Sequence, residues 1–340
     1  MTPDHAISLS LLPALSRIGL ADRLRADDPH LIEQAEAGLT AARARRAAAT
    51  RDGIHVVAWN EAHYPAALLT LPDFPPALWF RGALDTLDRP AVAIVGSRAA
   101  TPVALETATR LAEGLARRGI VVVSGLARGV DSAAHRGALE AGRTVAVLGS
   151  GPDVIYPHEH RALARRIVEC GVVISEYPPG TPPAPFHFPQ RNRVISGASL
   201  AVVVVEAAAG SGSLITASCA LEQGRDVMAV PGNVLSGRNR GAHALIRDGA
   251  KIVESADDIL EGLGLDPSGD ADGRSTATGS QTTGSADPVL RAMTPGQPYD
   301  LDALSGACGL DSARLLPRLM DFELRQLVRR VGGGRFMRPA

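Results

Sequence analysis

The sequence predicts a doubly wound α/β domain built on a mostly parallel sheet, preceded by a small helical domain and followed by a separate helical unit. Three observations carry this reading. Short β-branched runs recur from residue 90 onward (AVAIV, IVVVSG, TVAVLG, VVISEY, AVVVVEA, DVMAVPG, KIVES), and they alternate with helical or loop stretches. The runs are continuously apolar, which marks strands buried on both faces, as in a parallel sheet covered by helices. A stretch with almost no apolar residues (GLDPSGDADGRSTATGSQTTGSADP) then separates this region from the C-terminus. In such sheets ligands bind beyond the carboxyl ends of the strands, near the switch in strand order, so the informative residues are expected just after each strand.

Residues 1–54 are rich in Ala, Leu and Arg at helical spacing, and IGLADRL offers a Gly-centred turn between short helices. Helical hairpins of this kind either bind a DNA backbone or act as packing modules, and the sequence leaves both open. Residues 55–89 read as a connector in which repeated prolines favour extended segments and turns. It holds both tryptophans, and Trp59, Tyr64, Phe74 and Trp79 are expected to pack between the flanking domains. Residues 90–263 form the α/β domain, and 264–286 a flexible linker. Residues 287–340 read as helix, Gly turn, helix and a short hairpin, VRRVGGGRFMR, the outline of a winged helix. Arg314, Arg318, Arg325, Arg329, Arg330, Arg335 and Arg338 make this tail locally basic, which suits DNA or a protein partner.

The 340 residues carry a formal net charge of -1, so any case for nucleic-acid binding rests on local clustering. Lys251 is the only lysine. Arginine can grip phosphate bidentately and stack on bases, as lysine cannot. Cys170, Cys219 and Cys308 lie far apart without CxxC spacing, which points to a reducing compartment and no zinc site. The segment MTPDHAISLS lacks the features of a signal peptide, and no apolar run approaches a membrane span. A cytoplasmic protein with no membrane partner is expected.

Four strand-end or helix-start loops share one chemistry. In the first, Gly96, Ser97 and Arg98 follow an apolar strand, with Thr101 placed to cap a helix and Pro102 at its first position. A helix N-terminus beside such a turn favours anions. The second, SGLARGVDSAAH, offers Ser124, Gly125 and Arg128. The third, FHFPQRNRVISG, offers His187, Phe188, Arg191, Asn192 and Arg193. The fourth, GSGSLITAS, offers Ser211, Gly212, Ser213 and Thr216. Glycine permits close backbone approach, hydroxyls cap helices or donate to phosphate, and arginines add charge-assisted hydrogen bonds. The competing reading pairs Arg191 and Arg193 internally with Asp131, Glu176 or Glu206. Phe188 suits base stacking, as single-strand binding requires, and equally suits anchoring its loop in the core.

Other chemistries fit less well. GSRAAT lacks the GxGxxG spacing of a dinucleotide site, and no GxxxxGK[ST] loop occurs. His158 and His160 have no third metal ligand in view. Asp131 and His135, four apart, suit an acid–base pair or a cap with a surface histidine. No nucleophile–base–orienter set is apparent, so neither catalytic residues, nor a metal, nor a cofactor is expected.

Six segments in order, VAIVGSRAAT, VVSGLARGVDSAAHRGAL, TVAVLGSGPDVIYP, SEYPPGTPPAPFHFPQRNRVISG, VEAAAGSGSLITASCALEQGRDVMAVPG and GAHALIRDGA, resemble the DNA-processing protein A family, also called Smf. The resemblance is close over about residues 50 to 262. It implies a Rossmann-like domain with a small N-terminal helical domain and a C-terminal winged helix. It further implies a homodimer that binds single-stranded DNA, protects incoming strands and loads the RecA recombinase in natural transformation, without enzyme activity. The loop residues named above, apart from His187 and Phe188, match the family's phosphate pocket. Pro185 departs from the lysine that some members carry three residues before the Phe of FPxRNR, so one phosphate contact is missing there or taken over by His187. The alternative is a related Rossmann-group enzyme that cleaves nucleoside monophosphates at the glycosidic bond. That group carries a PGGxGTxxE loop with a catalytic Glu, where this chain reads AAAGSGSLITASCALE.

Overall fold

The computed structural model describes residues 1–12 and 15–266, and beyond these 289, 292–293, 297–308, 315, 318–319, 322–323, 328–331 and 335–338. The chain divides into two compact units, Met1–Gly273 and Arg274–Ala340. Most of the stretch read as a linker, residues 267–286, lies outside the described residues.

The seven apolar runs become β3 (Ala91–Val95), β4 (Val121–Ser124), β5 (Thr144–Leu148), β6 (Val172–Ser175), β7 (Ala201–Val204), β8 (Asp226–Ala229) and β9 (Lys251–Ile252). Helices α4 (Pro102–Arg117), α5 (Val130–Leu139), α6 (Arg161–Cys170), α7 (His187–Gly197), α8 (Gly212–Glu222), α9 (Arg240–Arg247) and α10 (Ala256–Gly262) lie between and after them. These seven strands pair in parallel in the order β6-β5-β4-β3-β7-β8-β9. Neighbours from β3 to β6 run one way in sequence and those from β7 to β9 the other, so the order switches between β3 and β7. Val95 and Val204 end the strands on either side of that switch, in register with one another.

Strand periodicity divides the apolar residues between two cores. Ala91, Ala93 and Val95 join Val123, Val202 and Val204 on one face. Val92 and Ile94 join Val122 and Val203 on the other, against Ala108, Leu111 and Leu115 of α4. That helix starts as its sequence predicts: the Thr101 hydroxyl accepts from Ala104 N at 3.2 Å, and Pro102 occupies the first position.

The stretch 55–89, read from sequence as a connector, contributes two strands to the same sheet. β1 (His55–Ala58) and β2 (Ala77–Gly82) pair antiparallel, and β2 runs antiparallel to β6, making nine strands in all. Trp79 and Phe74 are fully buried, and Tyr64 Oη donates to Pro75 O at 2.7 Å. The N-terminal helices are α1 (Pro3–Ser10), α2 (Leu20–Arg25) and α3 (Pro29–Arg51), with Gly19 left-handed at φ +58° before α2. Ile7, Ala42 and Ala49 pack with Trp79, so this helical domain shares a core with the sheet's antiparallel end. No helix among the described residues is long and apolar enough to cross a membrane.

In the second unit, β10 (Pro298–Tyr299), α11 (Leu301–Cys308), β11 (Arg329–Val331) and β12 (Arg335–Met337) are described. The strands form a three-stranded antiparallel sheet with β12 central, which includes the hairpin expected from VRRVGGGRFMR. Leu304, Leu315, Leu319, Phe322 and Phe336 form its core. Arg314 and Arg325 lie outside the described residues.

Candidate nucleic-acid interface

A cavity of about 480 Å³ opens at the topological switch, where the doubly wound fold places ligands. Its walls bring together ten of the fifteen sequence candidates: Gly96, Ser97 and Arg98 from the turn after β3; Phe188, Arg191 and Asn192 from α7; Ser211, Gly212, Ser213 and Thr216 from the start of α8. Three of the four loops converge directly on the cavity, and the fourth supplies Ala127 and Asp131.

The first turn is held from below. Ser97 N donates to Glu206 O at 2.7 Å, and the Glu206 carboxylate accepts from Thr101 Oγ1 at 2.7 Å and from Thr101 N at 3.3 Å. Glu206 is 2% exposed, so its charge is spent on the backbone and cap of this turn. Arg98 is exposed, and its guanidinium lies 5.5 Å from the centroid of the Phe188 ring, within cation–π range. Phe188 is half-buried, with the Tyr156 ring 5.6 Å away. The ring is thus both an anchor and part of the cavity wall.

Beneath the opening, Arg191 donates through Nη1 to Gly125 O at 3.0 Å and to Val147 O. Burial pushes its pKa down to about 10, with Asp131 acting in the opposite direction. Asp131 accepts from Gly125 N at 3.1 Å and Ala127 N at 3.3 Å, and burial raises its pKa against the pull of Arg191. Between these two amides Leu126 adopts φ +57°, a left-handed conformation that a non-glycine residue reaches only when its surroundings hold it there. Gly129, at φ +74°, packs so closely on Ser97 O that a Cβ would collide with it. On the third wall, Ser211 caps α8 through Ser213 N, the two serine hydroxyls lie 2.8 Å apart, and Asn192 Nδ2 donates to Gly212 O at 3.3 Å.

Five candidates lie elsewhere. Ser124 is buried with its hydroxyl on Ile94 O at 2.7 Å, a sheet contact. Gly125 sits below the cavity between Arg191 and Asp131, and its Cβ position is already crowded by both. Arg128 points outward to Glu159, 2.5 Å away. His187 is buried, with Nδ1 3.1 Å from Gly149 O and its ring stacked 4.0 Å from Tyr177. It lines a second cavity rather than the switch-point one. Arg193 also lines that second cavity, where it pairs with Asp73 at 2.7 Å and Glu176 at 2.8 Å. For Arg193 the internal pairing with Glu176 is therefore the observed one. Arg17 reaches the same carboxylate at 2.9 Å. Burial pushes the Glu176 and Asp73 carboxyls up to about 6 each, with Arg17 pulling both back.

The paired reading of Asp131 and His135 also resolves. His135 is fully buried rather than on the surface, Nδ1 lies 2.7 Å from Thr144 Oγ1, and that hydroxyl donates to Val122 O. Burial lowers its pKa to about 3. Among the described residues no cluster of His, Cys, Asp or Glu could hold a metal ion. Glu206, which the sequence offers only as a partner for arginine, instead holds the turn that carries Arg98. Its signal was present: a lone carboxylate directly after the all-apolar run AVVVV, at the mouth of the sheet.

A family model described as DNA recombination-mediator protein A matches residues 55–264, and one described as the DprA winged helix domain matches residues 274–334. Protein Smf of Escherichia coli (strain K12) is 39% identical over 285 residues, covering 82% of this chain and 76% of its own length. DNA processing protein DprA of Streptococcus pneumoniae is 47% identical over 198 residues, covering 58% of this chain and 70% of its own. The X-ray structure of the S. pneumoniae protein superposes with a TM-score of 0.66 at 35% identity, covering 76% of this chain and 98% of that one. A structure of DNA processing protein A from Helicobacter pylori, described for its single-stranded DNA binding mode, superposes at 0.55 and 31% identity, covering 59% and 92%. With this fold, this switch-point site and these relatives, the chain belongs to the DNA recombination-mediator protein A family.

Proposed function

We propose that the switch-point cavity binds the sugar-phosphate backbone of single-stranded DNA without sequence preference. The observation that carries this is the convergence of an exposed arginine, a buried arginine and two Gly/Ser turns on one cavity with an aromatic wall. Arg98 supplies the charge that meets a phosphate, and Arg191 adds positive potential from beneath. The N-terminus of α8 offers backbone N–H groups, and Phe188 gives a base a surface on which to stack. No groove edge or base-reading donor set is needed for such contacts, which suits sequence-independent binding. The H. pylori relative, described by its single-stranded DNA binding mode, supports the same ligand for this chain. Membership in a recombination-mediator family supports the wider role: protecting incoming strands and loading RecA onto them during natural transformation, as a cytoplasmic homodimer without enzyme activity.

Fluorescence anisotropy with labelled oligo-dT tests the reading. Log K falls linearly with log[salt], and Arg98→Ala weakens binding by about tenfold or more while reducing the slope by about one phosphate contact. Unchanged affinity in Arg98→Ala would remove the cavity from the account.

A further inference from the structure

The second cavity, of about 600 Å³, lies on the other side of the first turns of α7. Side chains there alternate between the two: Phe188, Arg191 and Asn192 face the switch-point cavity, whereas Phe186, His187, Gln190 and Arg193 line the second. The opposite wall comes from the N-terminal domain, including Leu15 and Ile18. We infer that this second cavity is a seat for a nucleobase of the same DNA strand whose phosphate occupies the switch-point cavity. The inference rests on the single-stranded DNA reading above and adds a ligand class for a place which that reading leaves empty.

Charge decides between phosphate and base. In the second cavity the arginines are already matched: Arg193 meets Asp73 and Glu176, and Arg17 meets Glu176. A balanced set of this kind offers no net attraction to an anion. In the switch-point cavity, among the described residues, no carboxylate forms an ion pair with Arg98. The neutral part of a nucleotide therefore suits the second cavity and the charged part the first.

Shape and surface agree. Tyr177 and His187 stack at 4.0 Å, and Phe186 stands edge-on to His187 at 4.5 Å. Phe186 is 61% exposed and Ile18, across the cavity, is 87% exposed, an arrangement that leaves apolar surface on both walls for a flat ring. Tyr177 Oη donates to Gln190 Oε1 at 3.1 Å, so the Gln190 amide N–H groups are what this side chain presents to a ligand. Carbonyl oxygens on base edges accept such donors. One helix separates the two cavities, a width of about 10 Å. A strand laid over the Phe186–Phe188 ridge would thus engage both within a few nucleotides.

The test uses the full chain with oligo-dT of about 15 nucleotides, in the site-size range of single-strand binders. Phe186→Ala is expected to weaken binding roughly tenfold, the scale of losing one stacked base, and to leave the salt slope unchanged. Ile18→Ser, at an exposed position on the opposite wall, is expected to weaken it to a smaller degree. Leu221→Ala, which removes an equally exposed apolar side chain outside both cavities, serves as the control and is expected to bind like the parent. Photocrosslinking with 5-iododeoxyuridine in the oligonucleotide should label Phe186 or Tyr177 as well as Phe188. Parental affinity in Phe186→Ala, with crosslinks confined to the switch-point side, overturns the inference and leaves the cavity to a protein ligand or to packing. Failure of the underlying reading looks different: oligo-dT is then not bound by the parent, or Arg98→Ala binds as well as the parent does.

Discussion

Arg98 and Arg193 bear the same side chain in the walls of two neighbouring cavities, yet they differ in what surrounds them. Arg98 stands exposed over an aromatic ring, and its turn is held by a glutamate that bonds the backbone and the helix cap. Arg193 is 8% exposed and closed between two carboxylates, one of which, Glu176, also takes Arg17. The contrast lies in where the acids spend their charge. Glu206 is consumed by N–H and O–H donors, and the guanidinium near it stays open to an anion. Glu176 and Asp73 are consumed by arginine, which becomes part of the scaffold instead.

Substitutions can break or sharpen this contrast. The largest effect is expected at Arg193→Ala, which leaves the half-buried Asp73 carboxylate without its arginine and Glu176 with Arg17 alone, and should cost about 3 kcal/mol of stability. Urea denaturation reads that loss, and the salt slope of DNA binding should not move. A flattened slope with intact stability would mean that the two arginines share one role. Arg98→Ala should do the reverse, weakening DNA binding with an unchanged unfolding midpoint. Next comes Glu206. Glu206→Ala leaves the Thr101 donors without their acceptor and should cost about 1–3 kcal/mol, with weaker DNA binding because the Arg98 turn loosens. Glu206→Gln keeps an acceptor oxygen and should recover most of both. If Gln and Ala behave alike, the charge of Glu206 matters more than its hydrogen bonds. The smallest effect is expected at Ser211→Ala, which removes the cap of α8 and should cost about 1 kcal/mol. Thermal melts measure it, and a much larger loss of DNA affinity would assign the hydroxyl to phosphate as well.

The parallel sheet was legible because its strands are uninterrupted Val/Ile runs, and the switch-point site followed from the rule that ligands gather at strand ends. The antiparallel pair β1–β2 was not, since Pro65, Pro72, Pro75 and Pro76 break the stretch around it and suggest turns throughout. Loop composition singled out Arg98, Ser211 and Ser213, and all three line the cavity. It could not sort Arg191 from Arg193, which stand two residues apart on α7 and so point to different sides of the helix. Nor could it give Arg193 its partners, because Asp73 lies 120 residues earlier in the chain and meets it only once α7 has docked. The strained turn at Leu126 left no compositional trace, whereas the glycine at Gly129 did.

The position of β1 at one end of the nine-stranded sheet has a consequence for solubility. A terminal strand presents unpaired backbone donors and acceptors, a template on which another chain can add. The other terminal strand, β9, is only two residues long and begins with Lys251, two features that discourage such growth. β1 has four residues, and helices α1 and α3 pack on it. The N-terminal helical domain therefore stands against this strand, and a chain shortened to residues 55–266 is expected to aggregate more readily than the full chain, as light scattering would show.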